Sequence, residues 1–123
     1  FILHLASAFV PLGFLLVGAA ILWPMAIPAA GALHVWTVGS MTLMTLGVMT
    51  RATRGHTGRA LIADAATRFI YAALVVAVGT RLFASLIPGL SETLLALSAA
   101  SWIGGFGAFI LSYGPMLVNR RYT

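Results

Sequence analysis

Four long apolar runs constrain this chain more than any other feature of its sequence. A helix needs about 20 apolar residues to cross a hydrocarbon core about 30 Å thick. Four stretches of that length follow one another, covering approximately residues 1–23, 29–49, 68–87 and 93–118. Prolines interrupt the chain after the first and third runs, and a basic segment follows the second. The sequence therefore predicts an all-α integral membrane protein, with one domain of four transmembrane helices over residues 1–123.

The arginines are distributed unevenly over the two sides of this predicted bundle. With four spans, both termini and the connection after the second span lie on one side. Six arginines collect there: Arg51, Arg54, Arg59, Arg68, Arg120 and Arg121. The other side has Glu92, with Arg81 some way inside the third span. Because Lys and Arg accumulate in cytoplasmic loops, we expect both termini in the cytoplasm and a multi-pass protein of the bacterial inner membrane.

Composition excludes several classes of function. The formal net charge is +5, but the basic residues form short clusters between apolar runs, so we expect no nucleic-acid partner. The absence of cysteine excludes disulfides, iron–sulfur clusters, thiolate zinc sites and covalent haem attachment. Asp64 and Glu92 are the two acids, too few to supply paired-carboxylate hydrolysis. No residue pattern identifies a site of substrate turnover, so the sequence does not assign an enzyme.

Three histidines are the candidate metal ligands. His4 lies in the first span, His34 in the second and His56 in the basic segment. An ionisable group inside a bilayer is a functional hypothesis by default, although a neutral histidine bonded to a neighbouring helix is the competing interpretation. At a rise of 1.5 Å per residue, His4 and His34 differ in depth by about 18 Å. We expect that these two histidines do not share one metal ion.

Arg81 is the second intramembrane candidate. The same rise places it about 10 Å short of the far surface, close to the level of His34. Such an arginine extends to the interface, pairs with Glu92 across the Pro88 turn, or meets an anionic group such as a haem propionate.

The segment TRATRGHTGR, Thr50 to Arg59, is predicted to be a loop. Topology alone accounts for its arginines, yet Gly55 and Gly58 permit conformations in which backbone N–H groups face an anion. Arginine side chains add bidentate recognition of carboxylate or phosphate. A lipid headgroup, a haem propionate and a partner protein all fit these residues.

Aromatic and small residues predict how the helices meet their surroundings. Tyr71, Tyr113 and Tyr122 lie near the arginine-rich side, as tyrosines of an interfacial belt do. In the fourth span, small residues four apart would allow a close helix approach, in the pairs Ser101 with Gly105 and Gly104 with Ala108.

Two stretches of the sequence, Leu33 to Leu61 and Leu3 to Leu16, resemble the NnrS family. The run LHVWTVGSMTLMTLGVMTRATRGHTGRAL, Leu33 to Leu61, has a His that opens a membrane helix, a Gly soon after, then Met-Thr-Arg and Arg-Gly-His-Thr-Gly-Arg. The run LHLASAFVPLGFLL, Leu3 to Leu16, resembles that family's preceding helix. Spans three and four match mainly in hydropathy, so this resemblance is carried by roughly the first half of the chain.

The resemblance implies a function. NnrS proteins are longer polytopic proteins, described as haem- and copper-containing and linked to the nitric oxide response, and this chain corresponds to their C-terminal third. It implies haem b, with copper as a second cofactor, held by ligands from His4, His34 and His56. Arg51, Arg54 and Arg59 are then propionate or lipid contacts. The partners that we expect are membrane lipid and other membrane subunits or upstream helices.

Our leading hypothesis is accordingly a haem-binding protein of nitric oxide response or electron transfer, with Arg81 as a further cofactor contact. The alternative is a cofactor-free accessory or structural subunit that packs in a larger membrane complex. In that alternative, His4 and His34 hydrogen-bond between helices.

Overall fold

The computed structural model describes residues 2–118, and its regular structure within that range is entirely helical. Four helices follow in order: α1 over Ile2–Leu22, α2 over Ala29–His56, α3 over Ala65–Leu86 and α4 over Ser91–Val118. Each is long and apolar enough to cross a membrane. The prediction of an all-α protein with four membrane spans is therefore confirmed. Predictions that concern Arg120, Arg121 and Tyr122 fall outside the described residues.

Helix α2 is longer than the sequence predicted. It was expected to end near Met49, but it continues through the basic segment to His56. Its 28 residues give a length of about 42 Å, so the helix is several residues longer than the hydrocarbon thickness requires. No proline interrupts Thr50–His56, and Gly55 has helical geometry, so the helix continues beyond the apolar run. Most of the predicted loop is therefore the last turns of a helix.

The end of α2 is closed by a Schellman motif. Gly58 has a φ of 65°, the left-handed conformation that glycine adopts without steric cost. Its N–H donates to the carbonyl of Gly55 at 3.3 Å, and the N–H of Arg59 donates to the carbonyl of Arg54 at 2.9 Å. These two amides complete the helix end. The expectation that backbone N–H groups of Gly55 and Gly58 face an anion is therefore wrong, because Gly55 is helical and the amide of Gly58 is engaged.

The middle of α2 is a π-helical stretch. Residues Val35–Thr42 have this wider geometry, with ordinary α-helix on both sides. Two side chains bond back to the helix there: Thr37 Oγ1 donates to the carbonyl of Leu33 at 2.8 Å, and Ser40 Oγ donates to the carbonyl of Trp36. Such stretches inside α-helices occur frequently at functional sites. His34 immediately precedes this one.

Glycines allow α1 and α2 to approach closely. A Cβ on Gly13 would lie 2.5 Å from Cβ of Trp36, and one on Gly39 would lie 2.8 Å from the ring of Phe9. The fourth helix contributes less than predicted. A Cβ on Gly105 would only reach ordinary contact with α3, and one on Gly104 would meet nothing within 4 Å. The closest glycine approaches are therefore those of Gly13 and Gly39 between α1 and α2, and that of Gly31 of α2 against Ser85 of α3.

The four helices share one apolar core at the end where α2 finishes. Helices α3 and α4 form a long antiparallel pair, and α2 lies between that pair and α1. All four helices contribute to the core: Ala6, Leu43, Leu46, Ile70, Leu74, Phe109 and Tyr113. This core fixes the relative positions of α2, α3 and α4 next to the basic segment.

A polar network covers this core, and we call it the Arg54 cluster: Arg54, Asp64, Thr67 and Tyr113. The guanidinium of Arg54 is buried, with Nε donating to the Tyr113 hydroxyl at 3.2 Å and Nη1 donating to the Ala60 carbonyl at 3.2 Å. Its Nη2 forms an ion pair with Asp64. The cluster thus joins α2, the connection after it, α3 and α4.

The same cluster starts α3. Asp64 is the N-cap residue: one of its carboxylate oxygens accepts from Thr67 N at 2.9 Å and from Thr67 Oγ1 at 2.7 Å. The Thr67 hydroxyl has one proton, which it donates to Asp64. The Tyr113 hydroxyl must therefore donate to Thr67 Oγ1, at 2.6 Å. The hydrogen bonds from Thr67 and then from Arg54 lower the pKa of Asp64.

Replacing the glycine beneath Trp36 should weaken the α1–α2 contact. In Gly13→Ala the added methyl group overlaps Trp36, so we expect the free energy of unfolding to fall by about 1–3 kcal/mol. Gly18→Ala is the matched control on the same helix, where a Cβ meets nothing within 4 Å. Reversible unfolding in mixed detergent measures both. Equal effects of the two substitutions would contradict the packing described above.

Removing the N-cap of α3 should also destabilise the fold. We expect Asp64→Ala to lower the free energy of unfolding by at least about 1–2 kcal/mol, because the helix cap and the ion pair with Arg54 are both lost. The control is Glu92→Ala, which removes the other acid from the first turn of α4, where it is exposed.

The cap also gives a pH dependence. Since folding lowers the pKa of Asp64 below its ordinary 3.8, its stabilising effect is complete well above pH 3.8. That effect is lost as the pH falls through the lower folded-state pKa. Acid titration of unfolding should therefore be steeper in the wild type than in Asp64→Ala. Parallel titration curves would count against the cap.

Candidate functional site

A pocket of about 520 Å³ opens among α2, α3 and α4. We call it the His34 pocket. Its lining is mostly apolar, with two ionisable side chains, His34 from α2 and Arg81 from α3, and with Trp102 from α4. The volume lies in the usual range of ligand and cofactor sites, which combine apolar walls with a few polar groups. The pocket lies beyond the core layer that Leu74 occupies, where Ala77, Ser98 and Ala99 leave space between the helices.

His34 is half-buried, and one of its ring nitrogens is engaged. Nδ1 donates to the carbonyl of Ala30, one turn earlier in α2, at 2.8 Å. A carbonyl oxygen only accepts, so this hydrogen bond assigns the proton of the neutral ring to Nδ1 and leaves the lone pair on Nε2. In a metal-ligating histidine, the ring nitrogen that does not bind the metal usually donates a hydrogen bond to a backbone carbonyl, a carboxylate or water, which fixes the orientation of the ring. The ring of His34 is therefore prepared to act as an acceptor or a ligand.

Arg81 lies at the same level as His34, as the rise per residue predicted, and lines the same pocket. It also borders a smaller neighbouring pocket with Gly31 and Ser85. Within residues 2–118 the ion pair with Glu92, one of the three arrangements considered for Arg81, is absent, since the described ion pair joins Arg54 and Asp64. The side chain of Arg81 is partly buried and faces a space that is otherwise largely apolar.

The other two histidines lie elsewhere. His4 is exposed on α1, one residue from Leu3, which packs beside Gly47. Trp36, two residues after His34, packs beside Gly13 of α1. His34 therefore lies near the level of residue 15 of α1, about 17 Å along that helix from His4. His56 is exposed at the last residue of α2. Within residues 2–118 no three His, Cys, Asp or Glu side chains converge as a metal site.

The arginines of the basic segment divide into two kinds. Arg54, predicted as a propionate or lipid contact, is buried in the Arg54 cluster, where three of its nitrogens have protein partners. Arg51 and Arg59 are exposed. A second pocket, of about 380 Å³, lies at this end of the bundle, and Arg51, Arg54 and Arg68 are among its lining residues. The structure thus separates the basic segment from His34 and Arg81.

The partners of Arg54 escaped prediction from the sequence. Asp64 was considered only as an acid in the composition, although an Asp shortly before an apolar run is a helix N-terminus signal. Tyr113 was predicted to lie in an interfacial belt, but its side chain is completely buried. Its hydroxyl lies between Arg54 and Thr67, which removes it from the lipid-facing surface. No local signal identifies that long-range contact.

Comparison with known proteins gives one match. The family model described as NnrS protein matches residues 1–121. The match includes α3 and α4, beyond the first half of the chain in which the sequence resemblance was detailed. No curated protein and no solved structure matches the chain. On the extent of the family match, the chain, with its four helices fit to cross a membrane, belongs to the NnrS family.

Proposed function

We propose that the His34 pocket binds haem b non-covalently, that His34 would supply a ligand to the iron, and that the chain serves the nitric oxide response or electron transfer. The observation that carries this proposal is that one apolar pocket receives both an oriented imidazole and an arginine. Membership of the NnrS family supports the association with nitric oxide.

The donor set fits a haem. Nε2 of His34 has the free lone pair that iron requires, and the hydrogen bond from Nδ1 to Ala30 holds the ring against rotation. Neutral imidazole is a common axial ligand, and bound haem supplies one-electron chemistry. The apolar walls, including Trp102 and Ile103, would exclude water from the ring. Because cysteine is absent, the attachment would be non-covalent.

Arg81 would provide the second anchor. A haem has propionate groups, and an arginine on the wall of an intramembrane pocket provides a charged donor for such a carboxylate. The pairing would also compensate the charge of Arg81, which lacks an ion-pair partner among residues 2–118. His34 would then hold the iron, and Arg81 would hold a propionate.

Copper, the other expected cofactor, has weaker support. Because no three candidate ligands converge within residues 2–118, a copper site using His4 or His56 would need donors from outside this range. Both side chains are exposed and accessible to such donors. The proposed roles of Arg51 and Arg59 as anion contacts depend likewise on groups beyond the helices described.

Replacing the proposed ligand should remove the haem. We expect His34→Ala to weaken haem binding by at least about 100-fold, since the ligand itself is lost. The measurement is a titration of the purified full chain with haem, followed by its optical absorption band. His4→Ala and His56→Ala are the controls, because both side chains lie outside the His34 pocket.

A second variant separates the two anchors. Arg81→Gln should weaken binding by about tenfold or more while keeping the absorption band of a histidine-ligated haem. A colourless wild-type protein that copurifies with stoichiometric partner chains would instead favour the cofactor-free accessory subunit. An unchanged band in His34→Ala would remove His34 as the ligand.

We also propose that the arginine-rich end faces the cytoplasm of a bacterial cell. Arg51, Arg54, Arg59 and Arg68 lie around the α2–α3 connection, whereas the α3–α4 connection at Pro88–Leu90 has none. The positive-inside rule then orients the bundle.

The lack of native cysteine makes this orientation measurable with single cysteines. We expect Gly89→Cys to react with a membrane-impermeant maleimide in intact spheroplasts, and Ala60→Cys to react only after lysis. Both positions are exposed. The reverse labelling pattern would invert the proposed topology.

A further inference from the structure

We propose that the pocket at the arginine-rich end binds the headgroup of an anionic phospholipid. We call it the basic pocket, and the residues that carry the proposal are Arg51, Arg68, Tyr71, Leu61 and Ile62. It lies on the other side of the core from the His34 pocket, and about 15 Å of α3 separates Tyr71 from Arg81. This inference is independent of haem binding.

The charge in the basic pocket is incompletely compensated. Three arginines line it, but the ion pair with Asp64 neutralises Arg54. Arg51 and Arg68 are exposed and form no ion pair with any of residues 2–118. They come from different helices, at the end of α2 and the start of α3, and both border one concave space. Guanidinium groups are bidentate donors for the oxygens of a phosphate group.

Part of the lining of the pocket is apolar. Leu61 and Ile62 belong to the connection between α2 and α3, and they are 61% and 64% exposed. Two large aliphatic residues side by side in an exposed connection are unfavourable in water, but they suit the boundary between headgroups and acyl chains. Cations and exposed aliphatic groups in the lining of one pocket match a ligand that is itself anionic at one end and apolar at the other.

The height of the pocket agrees with this ligand. Helix α2 is about 12 Å longer than the hydrocarbon core, and Arg51 lies in its last six residues. Arg68 lies in the first turn of α3. Both arginines therefore lie at the level of the headgroups, and basic pockets between transmembrane helices are known sites for anionic lipid headgroups.

Binding of short-chain phosphatidylglycerol to the purified full chain in neutral detergent, measured by calorimetry, tests the proposal. At about fivefold for each basic residue near a headgroup, Arg51→Gln combined with Arg68→Gln should weaken binding by about 30-fold. The control is Arg59→Gln, an exposed arginine of the same segment that does not line the pocket. We expect this control to change the affinity by less than threefold.

Two further ligands separate the sources of the anion. Phosphatidylcholine with the same chains should bind at least tenfold more weakly than phosphatidylglycerol, and inorganic phosphate should also bind at least tenfold more weakly. Equal binding of inorganic phosphate would overturn the lipid assignment in favour of a free-anion site. Equal binding of phosphatidylcholine, or equal losses in the double variant and in Arg59→Gln, would overturn the proposal altogether.

If the double arginine variant does not fold, the single variants Arg51→Gln and Arg68→Gln each test it, with an expected loss of about fivefold. The double substitution Leu61→Ser with Ile62→Ser tests the contribution of the apolar lining residues. It should weaken phosphatidylglycerol binding and leave inorganic phosphate binding unchanged. If this variant bound phosphatidylglycerol and inorganic phosphate as tightly as the wild type does, the result would contradict a site for an amphiphile.

Discussion

Burial of the Arg54 guanidinium is the interaction on which the rest of the bundle depends. A charge buried among helices is costly unless its donors find acceptors. Here the acceptors come from three separate parts of the chain: Asp64, the Ala60 carbonyl and Tyr113. Satisfying one side chain therefore sets the start of α3, the path of the connection and the position of α4 together. An apolar core alone would leave these helices freer to rotate against one another.

The constraint at one end leaves the other end of the same helices open. Beyond the layer of Leu46 and Leu74, the facing side chains of α3 and α4 become small, and the His34 pocket occupies the resulting space. The arginines accordingly have different roles. Arg54 is part of the architecture, Arg81 belongs to the intramembrane pocket, and Arg51 and Arg68 border the basic pocket. A cluster that looks uniform in the sequence is thus divided by burial and by neighbours.

The sequence predicted the number of helices and the depth of their residues, because both depend on hydrophobic length and on a constant rise per residue. That reasoning placed Arg81 level with His34. It could not predict that Arg54 faces inward while Arg51 faces outward. A membrane helix has apolar residues on all of its faces, so the sequence gives little information on which face is turned towards the bundle. The Asp64 cap was recoverable from its position shortly before an apolar run, and α3 begins at Ala65, three residues before the predicted Arg68. The contact with Tyr113, 59 positions from Arg54, was not recoverable.

The π-helical stretch of α2 has a consequence for the evolution of this helix. Each residue of an α-helix turns the chain by about 100°, whereas the wider winding of Val35–Thr42 turns it less per residue. The stretch therefore sets the angular phase between His34 and the half of α2 that carries Arg54. Removal of the wider winding at unchanged sequence length would swing the imidazole around the helix while the arginine stayed in place, whereas deletion of one residue together with that change would nearly restore the phase. Sequence length between these two side chains is thus as much a determinant of the pocket as the residues that line it.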